Sequence, residues 1–178
     1  MEWLSRYLYN QLLNVKRKVF ISYHHERDQI WANTFKRLFS SYYKIFYDNS
    51  LDDEIESSDP EYVNRAIRED YIKGSSITIV LCGKETWKRR YVDWEIRSTL
   101  HYKHALLGIA LPTARRTADN KVIVPTRLHL NVKSGYAHFI NWTTNPKSVK
   151  NAIDIAILKS KNTHLIDNSL PKMIRNKP

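Results

Sequence analysis

Glycine is scarce in this chain, four in 178 residues, and that scarcity excludes whole classes of nucleotide chemistry. A dinucleotide fingerprint needs glycines at G-x-G-x-x-G spacing, and none occurs. Gly83-Lys84-Glu85-Thr86 follows an apolar run and hints at a phosphate loop, but the position five before Gly83 is Thr78, so the glycine-built cradle is missing. Cysteine is scarcer still. Cys82 stands alone, so no intramolecular disulfide forms, which fits a reducing cytosol and a buried structural thiol. The longest apolar run, 105–111, is far shorter than the roughly 20 residues a membrane helix needs. The N-terminus also lacks the charged-then-apolar order of a signal peptide, so a cytoplasmic protein with no membrane partner is expected. No G-x-S-x-G elbow is present to suggest a serine hydrolase. The adjacent His24 and His25 would point to opposite sides of an extended segment and have no second ligand cluster, so no metal is expected.

What is present suits one globular domain: 42% of residues are hydrophobic and 12% aromatic, enough for a real core at this length. The net charge of +11 raises nucleic acid as a partner, yet the Lys and Arg are scattered and no binding motif accompanies them, so none is expected. The acidic residues are not scattered. Asp48, Asp52, Asp53, Glu54, Glu56, Asp59 and Glu61 crowd residues 48–61, which hold no Lys or Arg, leaving a strongly basic remainder. Such polarity suits pairing of an acidic loop on one copy with a basic face on another, or two plainly solvated surfaces.

Along the chain, Trp3, Leu4, Tyr7, Leu8, Leu12 and Val15 recur at helical spacing over residues 1–17. This amphipathic helix could cap the core, mediate assembly or rest on a membrane. From Lys18 the pattern alternates strand and helix: a strand at 19–23, then a helix at 28–40 capped by Asp28, with Ile30, Trp31, Thr34, Phe35 and Leu38 inward. A strand at 43–47 follows, then the acidic loop, a helix at 62–73 stopped by Gly74, a strand at 77–82 and a helix carrying Glu95. A strand at 106–111, a long polar connection at 113–135, a strand at 137–142 and a closing helix at 148–159 complete the domain. Near-continuous apolar strands imply burial on both faces, hence an α/β fold with a parallel sheet flanked by helices. Residues 18–160 make the domain, and the basic tail at 161–178 is given no regular structure.

Chemistry in such folds gathers at the carboxyl ends of strands. There the chain places Glu95 close after Trp87 and Trp94, with Ser22, Tyr23, His24, Asp48, Asn49 and Trp87 as polar and aromatic company. Most glycosidic hydrolyses need two carboxylates, one to protonate a poor leaving group. Nicotinamide leaves NAD from a ring that already carries a positive charge, so one carboxylate facing the developing oxocarbenium suffices. The plainer reading of Glu95 is a surface ion pair with Arg90 or Arg97.

Three segments, Val19 to His24, Tyr47-Asp48-Asn49-Ser50, and Gly83 through Trp87-Lys88-Arg89-Arg90-Tyr91-Val92-Asp93-Trp94-Glu95-Ile96, together resemble a TIR-like domain, nearest the TIR proteins of bacterial Thoeris antiphage defence. Pro125-Thr126-Arg127, Asn131, Gly135-Tyr136 and Asn141-Trp142 are similar to that subfamily too. The resemblance implies a five-stranded parallel sheet of flavodoxin-like order, with residues 48–61 as the loop after the second strand. It implies cleavage of NAD as substrate, with no further cofactor and with Glu95 as the catalytic glutamate. Ser22, Tyr23, His24, Asp48, Asn49 and Trp87 then take substrate-binding positions. A cyclic or modified ADP-ribose product would activate a separate effector, with self-association through the acidic loop and a phage-derived activator as further partners. The competing implication is a TIR-like assembly module without activity.

Overall fold

The structure, a computed structural model, describes residues 16–47 and 68–178. Of the N-terminal helix expected at 1–17, residues 1–15 lie outside the described residues, as do Asp48, Asn49 and the acidic loop, whereas Arg17 already belongs to the first strand.

Five strands, β1 (Arg17–Ser22), β2 (Tyr43–Tyr47), β3 (Ile77–Cys82), β4 (Ala105–Ala110) and β5 (His138–Asn141), form one sheet in the order β2-β1-β3-β4-β5, every neighbouring pair parallel. This is the flavodoxin-like order, an α/β fold with helices on both faces. Every residue of β3 and β4 is buried, as strands covered on both sides require. β2 and β3 fall on the residues expected from their apolar runs.

Among the described residues, four helices of defined extent cover the sheet, α1 (His25–Phe39), α2 (Arg90–His101), α3 (Thr126–Ser134) and α4 (Pro146–Ser160), and residues 68–73, which begin with Arg68, are helical as well. On one face Val19, Ile21, Ile79, Leu107 and Ile109 pack against Phe35 and Phe39 of α1 and Val149, Ala152, Ile153 and Ala156 of α4. On the other face Val80, Cys82 and Leu106 meet Val92, Ile96 and Leu100 of α2 and Leu128 of α3. Because side chains alternate along a strand, Val19, Ile21 and Tyr23 join the first cluster, whereas Ser22 turns toward α2.

Three departures from the sequence reading have physical causes. α1 starts at His25, three residues early, because the backbone carbonyl of His24 accepts the N–H groups of Arg27 (3.2 Å) and Asp28 (2.8 Å) with no side-chain cap. Its buried stripe is accordingly Asp28, Ala32, Phe35 and Phe39, while Ile30 is 70% exposed. The polar connection at 113–135 contains α3, whose buried residues are Arg127, Leu128 and Asn131. Two polar residues in a three-residue stripe hide the apolar period that would announce a helix. α3 ends at Gly135, whose φ of 90° is the left-handed cap that glycine adopts most readily.

The tail has one 3-10 turn, Thr163–Leu165, and no other regular element, yet it is held down throughout. Arg127, fully buried, uses all five guanidinium donors. They reach Asp93 Oδ1 (2.9 Å), Asp93 Oδ2 (3.2 Å), Asn168 Oδ1 (2.8 Å) and the carbonyls of Leu170 (3.1 Å) and Pro171 (3.0 Å). Asn131 binds Asp167 through both ends of its amide, at 2.7 and 3.0 Å. A polar sequence thus becomes an ordered strap because buried side chains of α2 and α3 hydrogen-bond its backbone.

Candidate active site

α2 leaves β3 through the loop 83–89 and buries Val92, Asp93, Glu95, Ile96, Thr99 and Leu100. The i, i+3, i+4 spacing of that face carries Glu95 inward with its apolar neighbours. The helix is pinned at this level: Thr99 Oγ1 donates to the Glu95 carbonyl (2.8 Å) and lies 2.6 Å from Thr78 Oγ1 on β3. Glu95 is 3% exposed. Burial of a carboxylate demands partners, and both oxygens have them. Ser22 Oγ at the end of β1 donates to Oε2 (2.5 Å), and Arg68 Nε lies 3.5 Å from Oε1. The Arg68 guanidinium in turn lies over the Tyr91 ring, 4.4 Å from its centre.

A cavity of about 40 Å³ opens beside this carboxylate, lined among others by Arg68, Tyr91, Trp94, Glu95, Arg97 and Lys172. It offers the buried Glu95 carboxylate, aromatic faces and a rim on which Glu69 accompanies Arg97 and Lys172. Its volume is well below the roughly 300–1,000 Å³ of pockets that enclose small molecules.

The other expected residues sit elsewhere. Tyr23 is turned to the opposite face of the sheet, where its hydroxyl donates to Gln29 Oε1 (2.8 Å) and its ring stacks on His25 at 4.4 Å. His24 is buried at the start of α1, and its Nδ1 has no hydrogen-bond partner among the described residues. Burial, aided by the positive charge of Arg89, holds its imidazole below the usual histidine range. Trp87 lies in the 3-10 turn Thr86–Lys88, its buried indole N–H likewise without a partner among the described residues, with the ammonium groups of Lys88 and Lys177 at 5.5 and 5.8 Å from the ring. Of the expected set, Ser22 is the one whose contact with Glu95 is resolved; Asp48 and Asn49 lie outside the described residues.

Sequence reading assigned Asp28 to a helix cap, whereas it forms a second buried polar group at the carboxyl ends of β1 and β3. Thr86 Oγ1 donates to Asp28 Oδ2 (3.0 Å) and accepts the Gly83 N–H (2.8 Å). A Cβ on Gly83 would fall 2.3 Å from both Asp28 oxygens, so the glycine makes room for the carboxylate. Burial pushes the Asp28 carboxyl up to about 6, against the hydrogen bond from Thr86. The one signal available in the sequence was an acidic residue placed among α1 positions that turn out to face the core. Arg27, next to Asp28 in the chain, pairs with Glu85 of the same loop as Thr86 at 2.8 Å. Among the described residues, no cluster of His, Cys, Asp and Glu is placed to hold a metal, and no helix is long and apolar enough to cross a membrane.

Sheet order and the buried glutamate on the helix after β3 define a flavodoxin-like α/β domain with a carboxylate beside the carboxyl ends of its central strands. The family model described as "Thoeris protein ThsB, TIR-like domain" matches residues 20–116, more than half of the chain, and the chain belongs to that family. No curated protein matches it significantly in sequence. Among solved structures it is similar to the TIR domains of the activated Roq1 resistosome directly recognizing the pathogen effector XopQ, at 12% identity over 85% of this chain and 92% of that chain. The TM-score of 0.41 is too low for that likeness to carry an argument.

Proposed function

We propose that this chain is an NAD-consuming enzyme of antiphage defence. It cleaves the bond between nicotinamide and ribose and makes a cyclic or otherwise modified ADP-ribose that activates a separate effector. One observation carries the reading: in a chain of the ThsB TIR-like family, a buried carboxylate, Glu95, lines a cavity with aromatic and cationic walls and is oriented by Ser22 and Arg68. In the reaction, the bonding pair of the C1′–N1 bond leaves with nicotinamide, which departs neutral, and C1′ becomes an oxocarbenium. The Glu95 carboxylate faces that charge. Preorganised by its two partners, it stabilises the cation without reorganising. In a cavity that excludes water, an adenine nitrogen or a ribose hydroxyl of the same molecule reaches C1′ at high effective molarity, and the product is cyclic.

A second reading, a TIR-like assembly module without activity, draws on the same geometry. Both Glu95 oxygens are engaged and the cavity is small, so the carboxylate could serve as a structural ion pair. Nicotinamide release from NAD by the wild type and by Glu95→Gln separates the two. The amide is nearly isosteric, and a loss of at least about 10²-fold in rate without loss of fold is expected of one preorganised electrostatic group. Equal rates in the two proteins would remove Glu95 from the chemistry. No release by the wild type under any condition would favour the module.

A further inference from the structure

The family match ends at residue 116, yet the wall of the Glu95 cavity does not. From Asp167 the strap runs back along α2. Asn168 Nδ2 donates to the Arg97 carbonyl (3.2 Å), the Met173 carbonyl accepts Trp94 Nε1 (2.7 Å), Asn176 Oδ1 accepts the Arg90 N–H (2.9 Å), and the Lys177 N–H reaches the Lys88 carbonyl (2.9 Å). The strap is thus fastened along the helix that carries Glu95, and Arg127 is its buckle.

Seated this way, the strap delivers Lys172 to the cavity. Its ammonium lies 3.9 Å from the centre of the Trp94 ring and makes no ion pair among the described residues. Arg97 and Arg68 line the same cavity. The lining carries three cations, Arg68, Arg97 and Lys172, against two carboxylates, Glu69 and Glu95, so with Glu95 matched by Arg68 the rim keeps an excess of one positive charge, shared by Arg97 and Lys172. A rim of that sign calls for an anion. In a dinucleotide the diphosphate is joined through one ribose to the bond that breaks, so a group that grips it must share the cavity with the carboxylate, as Lys172 does.

Resting on the proposed NAD reading, we propose that the C-terminal strap is part of the substrate site: Lys172, with Arg97, forms the edge that binds the substrate's diphosphate. Lys172 is a binding residue in this assignment, and Arg127 is a positioning residue that acts by seating the strap.

The full-length protein is titrated with ADP-ribose, inorganic pyrophosphate and adenosine, at the protein concentration that gives the greatest nicotinamide release. Wild type, Lys172→Met, Lys172→Arg and Glu95→Gln are compared. ADP-ribose and pyrophosphate should bind the wild type, weaken about five- to tenfold in Lys172→Met, and recover in Lys172→Arg, the range expected of one partly solvated charge contact. Adenosine should not distinguish the variants. With NAD, Lys172→Met should raise KM and leave kcat nearly unchanged, since the lost contact serves the ground and transition states alike. Wild-type affinity for ADP-ribose in Lys172→Met, or no binding of either phosphate ligand to the wild type, would overturn the assignment. The two readings fail separately. Glu95→Gln that binds ADP-ribose normally but releases no nicotinamide upholds the cleavage reading whatever Lys172 does, and Lys172-dependent pyrophosphate binding with no NAD cleavage upholds the strap site alone.

Discussion

At the scale of single residues, two buried carboxylates are held differently. Glu95 is held by a hydroxyl and a guanidinium, and Ser22→Ala should loosen its orientation. Nicotinamide release is expected to fall roughly tenfold in that variant, less than in Glu95→Gln, because one of two orienting contacts remains; steady-state rates on NAD decide it. Asp28 has a single hydroxyl donor, Thr86, and burial raises its carboxyl to about 6 from 3.8. The unfolded chain therefore loses this proton first as pH rises. The contribution of Asp28 to stability is fully present below about pH 4 and is lost as pH climbs through about 6. Asp28→Asn keeps the shape and an acceptor for Thr86. It should be more stable than the wild type by on the order of 2 kcal/mol at pH 7–8, with the advantage disappearing at pH 4. Urea denaturation at the two pH values checks this, and a pH-independent difference would contradict it. The helix that buries Glu95 was legible because a Trp-x-Arg-Arg-x-Val-x-x-Glu-Ile segment follows the apolar run of β3. Asp28 was not, since nothing in a sequence distinguishes an acidic residue at a helix start from one turned into the core.

At the scale of elements, strands read better than helices. β2 and β3 fell on the expected residues because apolar and aromatic runs with a single polar member each, Lys44 in one and Thr78 in the other, leave little choice. Helix α1 starts earlier than read because its cap is a backbone carbonyl rather than a side chain, though Trp31, Phe35 and Leu38 do face the core, and α3 was missed because Arg127 and Asn131 occupy buried positions. The strap was invisible because most of its attachments are to its own backbone, with Asn168 and Asn176 the side chains that add to them. Its stability rests on the Arg127–Asp93 pair, 0% and 7% exposed. Removing one member of a buried pair strands the other, so Arg127→Ala should cost about 3–5 kcal/mol, and limited proteolysis should then cut beyond residue 160 before the sheet. A stability loss below about 1 kcal/mol with the tail still protected would show the buckle to be dispensable.

At the scale of the whole molecule, the proposed enzyme should be nearly silent when isolated. A cavity of about 40 Å³ beside Glu95 cannot enclose a dinucleotide and must widen first. If only a small fraction of molecules is open, ordering the open form would raise turnover by roughly one to two decades with no new catalytic group. Turnover per molecule should therefore climb with protein concentration and with added lysate of phage-infected cells; a fast rate indifferent to both would contradict the proposal. The acidic residues at 48–61 set against a basic remainder are the feature of the sequence suited to such assembly. Neutralising Asp52, Asp53 and Glu54 together should weaken self-association and activation more than folding, with sedimentation and turnover as the paired measurements. Unchanged values of both would leave these charges as plain surface.

Cys82 gives the chain a clock. It ends β3, the middle strand of five, is fully buried, and its thiol is pushed well above its ordinary range by that burial. A thiol-alkylating reagent therefore reaches it only when the sheet itself parts, and with one cysteine in the sequence every labelled molecule records one such opening. Any compound that binds the closed form slows the labelling in proportion to its occupancy. Ligands of this domain can thus be ranked by the mass of the protein after timed alkylation, with no assay of the reaction and no added probe.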